Sequence, residues 1–220
     1  MTRVAILGST GSIGRATLSV IARHTDRFQV VAVCANSSVD DVAAQVVEYG
    51  VPVAVIADPE ALSGVDNLPT AEWRSGHTAV LELVRDANVD VVVNAIVGSA
   101  GLEATLAALR AGKRLALANK ESLVAGGPLV IEAAREGGGE LIPIDSEHSA
   151  ILQCLAGRDT GSVARLVLTA SGGPFRGLEQ GELERVGPED ALRHPTWNMG
   201  AKITIDSATL ANKALEIIEA

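Results

Sequence analysis

Aromatic side chains are almost missing from this sequence. Phe, Tyr and Trp make up 2% of its 220 residues, so Ala, Val, Leu and Ile must do nearly all the core packing. Such an aliphatic core suits buried parallel strands covered by helices. Cysteine is scarce too. Cys34 and Cys154 stand far apart with no CxxC spacing. That argues against a disulfide framework or a thiolate metal site and suits two thiols in a reducing compartment. Positive charge is in deficit, with 18 Lys and Arg against 27 Asp and Glu and a net charge of −9. This argues against nucleic acid or an anionic membrane as a partner, and an anionic substrate would need a local positive pocket. No apolar run approaches the roughly 18 residues of a membrane span. The N-terminus, MTRVAILGSTGSIG, has no apolar signal core with a cleavage site. A cytoplasmic location is expected.

What is abundant is aliphatic. Hydrophobic residues reach 47%, which excludes disorder as the main state. The length allows one large or two modest domains. In the first half, short Val/Ile/Leu runs read as buried strands at 3–7, 28–34, 53–57, 89–94, 114–117 and 140–144. Helical patterns lie between them at 12–23, 39–49, 78–87, 102–111 and 128–136. Ser38 with Asp40 and Asp41 reads as a helix start, Gly50 and Gly112 as helix ends, and Pro128 as a first helical position. Residues 58–75 read as a loop with a short turn. The alternation predicts an α/β fold with a Rossmann-like, doubly wound and mostly parallel sheet.

After about residue 145 the rhythm changes. A helix is expected near 147–156, a strand near 163–169, a long glycine- and proline-bearing stretch over 171–200, a short strand at 202–206 and a closing helix over 207–220. The division predicts a dinucleotide-binding domain over 1–145 and an α+β catalytic domain over 146–220.

Several motifs carry chemistry. Gly8-Ser-Thr-Gly11-Ser-Ile-Gly14 follows a strand and opens a helix. Its glycines permit a tight turn and close approach of a pyrophosphate, which the helix N-terminus then attracts. The tip of the second strand, Asn36-Ser37-Ser38, has no carboxylate before Asp40. An acid there would bond a ribose diol and repel a 2′-phosphate, so its absence favours NADP(H) over NAD(H). The competing reading is that Ser37 and Ser38 only cap the next helix.

Asn119-Lys120-Glu121-Ser122 follows a strand at the carboxyl end of the sheet, where such folds bind ligands, although Lys120 beside Glu121 reads equally as a surface ion pair. Asp145-Ser146-Glu147 projects two carboxylates to one side and can hold Mg²⁺ or Mn²⁺ or, alternatively, cap a helix. His148 follows without zinc-like spacing. Ser171-Gly-Gly-Pro-Phe175 reads as a flexible binding loop. The stretch from His194 to Gly200 places Trp197 in a turn-rich segment that is either a lid or a packed loop. On the last helix Thr209, Asn212, Lys213 and Glu216 share one face. They form either a solvated face with a Lys213–Glu216 pair or, with Ser207, a phosphate grip beside a metal ligand.

Together the motifs GSTGSIG (8–14), LANKES (117–122), IDSEHSAI (144–151), SGGPF (171–175), HPTWNMG (194–200) and KITIDSATLANKALEIIEA (202–220) resemble the 1-deoxy-D-xylulose 5-phosphate reductoisomerase family. The resemblance implies an NADPH- and divalent-metal-dependent enzyme of non-mevalonate isoprenoid biosynthesis. It would rearrange the sugar phosphate by retro-aldol and aldol steps, then reduce the branched aldehyde to 2-C-methyl-D-erythritol 4-phosphate. It implies cofactor contacts from Thr10, Gly11, Ser12, Ile13, Asn119, Glu121 and Gly200, to which the glycine-loop and strand-tip readings above add Gly8, Asn36, Ser37 and Ser38. It implies Mg²⁺ or Mn²⁺ ligands at Asp145, Glu147 and Glu216. Substrate would meet Lys120, Ser146, Ser171, His194, Ser207, Asn212 and Lys213, with Trp197 and Met199 in a lid.

Two stretches depart from the family pattern. Residues 36–38 stand where a Gly-Lys-Asn or Gly-Asn-Asn turn is usual, and Ala211 and Ala214 stand where Met and Gly are common. Members of the family are longer and typically homodimeric, so the catalytic domain is expected to be truncated here. Two other readings compete: a dinucleotide-binding fragment without turnover, and a metal-independent dehydrogenase of the semialdehyde or homoserine type.

Overall fold

The computed structural model describes residues 1–195 and 200–220. The chain divides into two compact units, Met1–Asp145 and Ser146–Ala220.

The first unit is built on a seven-stranded sheet. Its strands are β1 (Thr2–Leu7), β2 (Phe28–Ala35), β3 (Val53–Ile56), β4 (Glu72–Ser75), β5 (Val91–Asn94), β6 (Arg114–Leu117) and β7 (Glu140–Pro143). They lie in the order β4-β3-β2-β1-β5-β6-β7, and every ladder is parallel. The helices between them are α1 (Ser12–Arg23), α2 (Val39–Tyr49), α3 (Pro59–Leu62), α4 (His77–Arg85), α5 (Leu102–Arg110) and α6 (Lys120–Gly137).

Period-2 alternation along β1 feeds two cores. Ala5 and Leu7 meet Val80, Leu83, Leu109, Val130 and Ala133 on one face. Val4 and Ile6 meet Leu18, Ile21, Val42 and Val46 on the other. Both faces are covered by helices, which is why these strands read as continuous apolar runs. Strand order reverses between β1 and β5. In open α/β sheets that switch point is where a crevice opens at the strands' carboxyl ends.

Two local expectations for this unit need correction. Residues 72–75 form edge strand β4 rather than loop; its polar EWRS sequence hides the pairing with β3. The helix expected from Pro128 is the second limb of α6, which starts at Lys120 and kinks at Gly126 (φ −139°). Pro128 lacks an N–H to donate, so it sits just after the break that it requires.

The second unit contains α7 (Ser146–Leu155), α8 (Gln180–Leu183), α9 (Pro188–Ala191), α10 (Ala201–Ala208) and α11 (Ala211–Glu219). Neither strand expected here is present. Residues 163–169 are irregular, with Leu166 and Val167 exposed. Residues 202–206 lie inside α10. The alternating Lys-Ile-Thr-Ile-Asp pattern is overridden by a Lys202–Asp206 pair one turn apart (2.8 Å) and by the Thr204 hydroxyl donating to the Gly200 carbonyl (2.9 Å). The closing helix is also interrupted. Leu210 takes a left-handed conformation (φ +60°) and separates α10 from α11.

Candidate functional site

In the first unit the glycine loop joins β1 to α1 at the switch point. Gly8 has φ +75°, and a Cβ there would stand 2.6 Å from the Ala95 carbonyl oxygen. A Cβ on Gly14 would stand 2.4 Å from the Gly8 carbonyl. These two glycines let chain segments touch. Gly11 differs: a Cβ there meets only the Gly8 carbonyl, at 3.4 Å, so the loop is open at that point. Helix α1 begins with Gly11 as its cap, with no side-chain capping bond and no acid in its first turn. Its leading N–H groups and dipole are therefore available to an anion. Ser12 and Ile13 are exposed there. The residues present fit a dinucleotide pyrophosphate.

Asn36, Ser37 and Ser38 are exposed at the end of β2. Ser38 caps α2 by position, but its side chain makes no capping hydrogen bond. Helix capping therefore does not account for its hydroxyl.

Asn119 is buried and occupied. Its Oδ1 accepts from the Ser122 N–H at 2.8 Å and caps α6. Its Nδ2 donates to the carbonyls of Ile96 and Gly98. The side chain thus ties the loop after β5 to the start of α6. Lys120 follows it, and its Nζ pairs with Asp145 Oδ2 at 2.8 Å. This pair is nearly buried, unlike the surface ion pair that the sequence also allowed for Lys120. Glu121 is partly buried in the first turn of α6.

In the second unit Glu147, Asn212, Lys213 and Glu216 converge. The Lys213 ammonium lies 2.7 Å from Glu147 Oε1 and also bonds Glu216. Asn212 Nδ2 donates to Glu216 Oε1 at 2.5 Å. Glu216 is fully buried. Burial pushes the Glu147 carboxyl up, but the hydrogen bonds from Lys213 and Ser146 outweigh it and hold the group below its ordinary value. Burial likewise pulls Lys213 down, and its bonds to Glu147 and Glu216 more than compensate.

Ser171, Ser207 and Leu210 line a small cleft beside Glu147, Asn212 and Lys213. The break at Leu210 makes this possible. In one continuous helix Ser207 and Lys213 would project roughly 120° apart. Gly172 and Gly173 both have left-handed φ, and a Cβ on Gly173 would stand 3.1 Å from the Ser207 carbonyl. Ser171 Oγ bonds His194 Nε2 at 3.1 Å. Ser146 bonds Glu147 at the head of α7. Gly200 caps α10. Trp197 and Met199 lie outside the described residues.

Among the carboxylates considered for a divalent cation, Asp145 holds a lysine ammonium in the first unit, and Glu147 and Glu216 share one in the second. Oxygen donors that already attract positive charge are the chemistry that Mg²⁺ or Mn²⁺ requires.

Family comparisons match both units. The model described as 1-deoxy-D-xylulose 5-phosphate reductoisomerase matches residues 4–127, and its C-terminal domain model matches residues 141–220. The chain belongs to this reductoisomerase family. It is 56% identical to the reductoisomerase of Rhodococcus jostii over 219 residues, covering 99% of this chain and 54% of that one. It is 53% identical to that of Mycolicibacterium smegmatis, covering 99% and 53%. A crystal structure of a reductoisomerase in complex with NADPH, fosmidomycin and magnesium superposes with a TM-score of 0.87 at 41% identity, over 100% of this chain and 57% of that one. The Zymomonas mobilis enzyme in complex with NADPH gives a TM-score of 0.84 at 48% identity, over 100% and 57%. The chain spans about half the length of the curated relatives that it matches.

Arg15 was not legible as part of the loop. Its guanidinium donates to the Thr10 carbonyl at 2.8 Å and pairs with Asp41 of α2 at 3.0 Å. The i to i+5 spacing carries no signature in the sequence.

Proposed function

We propose that this chain carries the NADPH- and metal-binding portion of a 1-deoxy-D-xylulose 5-phosphate reductoisomerase. The full protein would convert that sugar phosphate to 2-C-methyl-D-erythritol 4-phosphate. The observation that carries the reading is the Glu147–Lys213–Glu216 cluster, with Asn212 and Ser207 beside it, in a family whose first unit presents a dinucleotide loop.

The loop Gly8–Gly14 would bind the pyrophosphate, with Thr10, Gly11, Ser12 and Ile13 nearest to it. Asn36, Ser37 and Ser38 would receive the 2′-phosphate by hydrogen bonds rather than by a guanidinium. Since the Asn119 side chain is spent on the loop after β5, contacts at that point would come from its backbone and from Glu121. Gly200 would also meet the cofactor. Bound NADPH supplies the hydride for the aldehyde.

Asp145, Glu147 and Glu216 would ligate Mg²⁺ or Mn²⁺, which when bound polarises the substrate's ketone and hydroxyl oxygens. Lys120 and Lys213 would then be released toward the anionic substrate, holding protons at Nζ where oxygen charge develops. Ser171, His194, Ser207 and Asn212 would orient the phosphate, with Ser146 on the substrate side of the cluster. Trp197 and Met199 would exclude water during the rearrangement.

No described helix is long and apolar enough to cross a membrane. We place the protein in the cytoplasm, where the buried Cys34 and exposed Cys154 stay reduced, and expect a homodimer for the full-length form. A second reading, a dinucleotide-binding piece without turnover of its own, is favoured by the half-length coverage of relatives. One assay separates the two: NADPH oxidation with 1-deoxy-D-xylulose 5-phosphate and Mn²⁺, on this chain and on a longer one. Metal-dependent turnover by this chain supports the first reading. Turnover by the longer chain only supports the second, and turnover by neither refutes the reductoisomerase activity.

A further inference from the structure

Gln45 sits on α2 between Val42 and Val46 and is 4% exposed. An apolar residue would pack there without burying a side-chain amide, though it would leave the Ser9 carbonyl without this donor. The glutamine leaves its Oε1 with no hydrogen-bond partner among the described residues. It spends Nε2 on one acceptor, the Ser9 carbonyl, at 3.0 Å. Turning the amide over would set Oε1 against that carbonyl, acceptor to acceptor, so the donor must face Ser9. Ser9 is itself fully buried, and its hydroxyl has no partner among the described residues. Two unsatisfied buried atoms around one bond are a cost that needs a reason.

The peptide plane supplies it. The Ser9 carbonyl and the Thr10 N–H belong to one planar trans peptide and point in opposite directions. With the carbonyl drawn inward to Gln45, the Thr10 N–H is turned away from the buried face of α2. The neighbouring peptide groups are also held. The N–H groups of Gly8 and Ser9 both donate to the Cys34 carbonyl, at 2.8 and 2.9 Å. The Thr10 carbonyl accepts from Arg15, which α2 holds through Asp41. Two successive carbonyls of the loop are thus held from α2, one directly and one through an arginine.

We propose that Gln45 is a positioning residue for a bound dinucleotide: it fixes the Ser9–Thr10 peptide so that the Thr10 N–H is presented to the pyrophosphate. This rests on the cofactor reading above. Gln45→Met keeps the side-chain length and apolar packing while removing the donor. Fluorescence titration of the folded variant should show NADPH and NADH weakened by a common factor of about tenfold, the scale of one hydrogen bond. Adenosine 2′-monophosphate, which has no pyrophosphate, should bind the variant and the parent equally.

An unchanged NADPH affinity, or a loss shared by adenosine 2′-monophosphate, overturns the proposal. If the parent chain itself fails to bind NADPH, the cofactor reading falls instead. Should Gln45→Met fail to fold, the parent chain still decides by amide NMR. The Thr10 amide resonance must move on adding NADPH, and a stationary one overturns the proposal.

Discussion

The two units spend their buried space differently. The first fills it with aliphatic side chains on both faces of a sheet. In the second, Ala191 and Ala208 are the buried apolar residues among those described, while His148, Thr204 and Glu216 are buried polar ones. His148 bridges the Glu216 carbonyl (3.1 Å) and the Glu219 carboxylate (3.0 Å). One unit is held by apolar packing, which involves no charged group. The other is held by charges and hydrogen bonds, which respond to pH and ions. On the proposed function this division makes sense: a cofactor platform would need rigidity, whereas a cluster that gave up its lysine to a metal would need polar groups that can change partners.

The largest expected effect tests the polar unit. Glu147→Gln should lower metal-dependent turnover of the full-length enzyme by about 10³-fold or more while NADPH still binds, because a Lewis-acid contribution is worth several kcal/mol. Normal turnover in a steady-state assay would sink the metal assignment.

Next comes the packed unit. Leu115 on β6 is fully buried, and Leu115→Ala should cost about 3 kcal/mol in denaturant unfolding. Leu192→Ala in the second unit, where the leucine is 46% exposed, should cost under about 1 kcal/mol. Equal losses would erase the contrast.

Cofactor choice sharpens it further. Residues 36–38 carry no acid, so NADPH should bind at least about tenfold more tightly than NADH, a difference worth roughly one charge-assisted hydrogen bond. Equal affinities by titration would remove those residues from the recognition role.

The smallest effect is pH dependence. The Glu147 pKa is lowered by folding, so its contribution to stability is fully present above the unfolded value of 4.5 and fades as pH falls through the lower folded value. The Lys213 pKa is raised, so its share is fully present below 10.5 and fades as pH rises through the higher folded value. Melting curves of the parent and Glu147→Gln should therefore converge as pH drops below 4.5. A constant gap would show that the Glu147–Lys213 pair adds nothing.

Legibility followed the same division. Helices α1 and α2 start and end where the apolar period and caps place them, because packing on a two-sided sheet rewards the pattern that the sequence displays. Strand β4 escaped notice because an edge strand need not be apolar. In the second unit the same rules misled. The Arg-Leu-Val-Leu run at 165–168 looks like a strand but pairs with no strand among the described residues. The alternation at 202–206 lost to local helix contacts. The motif residues themselves were readable, yet the break that puts Ser207 beside Lys213 was not. No composition rule places a leucine at φ +60°.

The sheet's two margins have a consequence of their own. Edge strand β4 is four residues long and carries Glu72 paired with Arg74, while β7 ends in Pro143, which has no N–H to offer a neighbour. Short, charged or proline-tipped margins resist lateral growth of a sheet into fibres. A chain this rich in Val and Ile would otherwise be a template for its own polymerisation. Within the first unit, the charged residues that make β4 hard to read as a strand also help protect the aliphatic interior from aggregation.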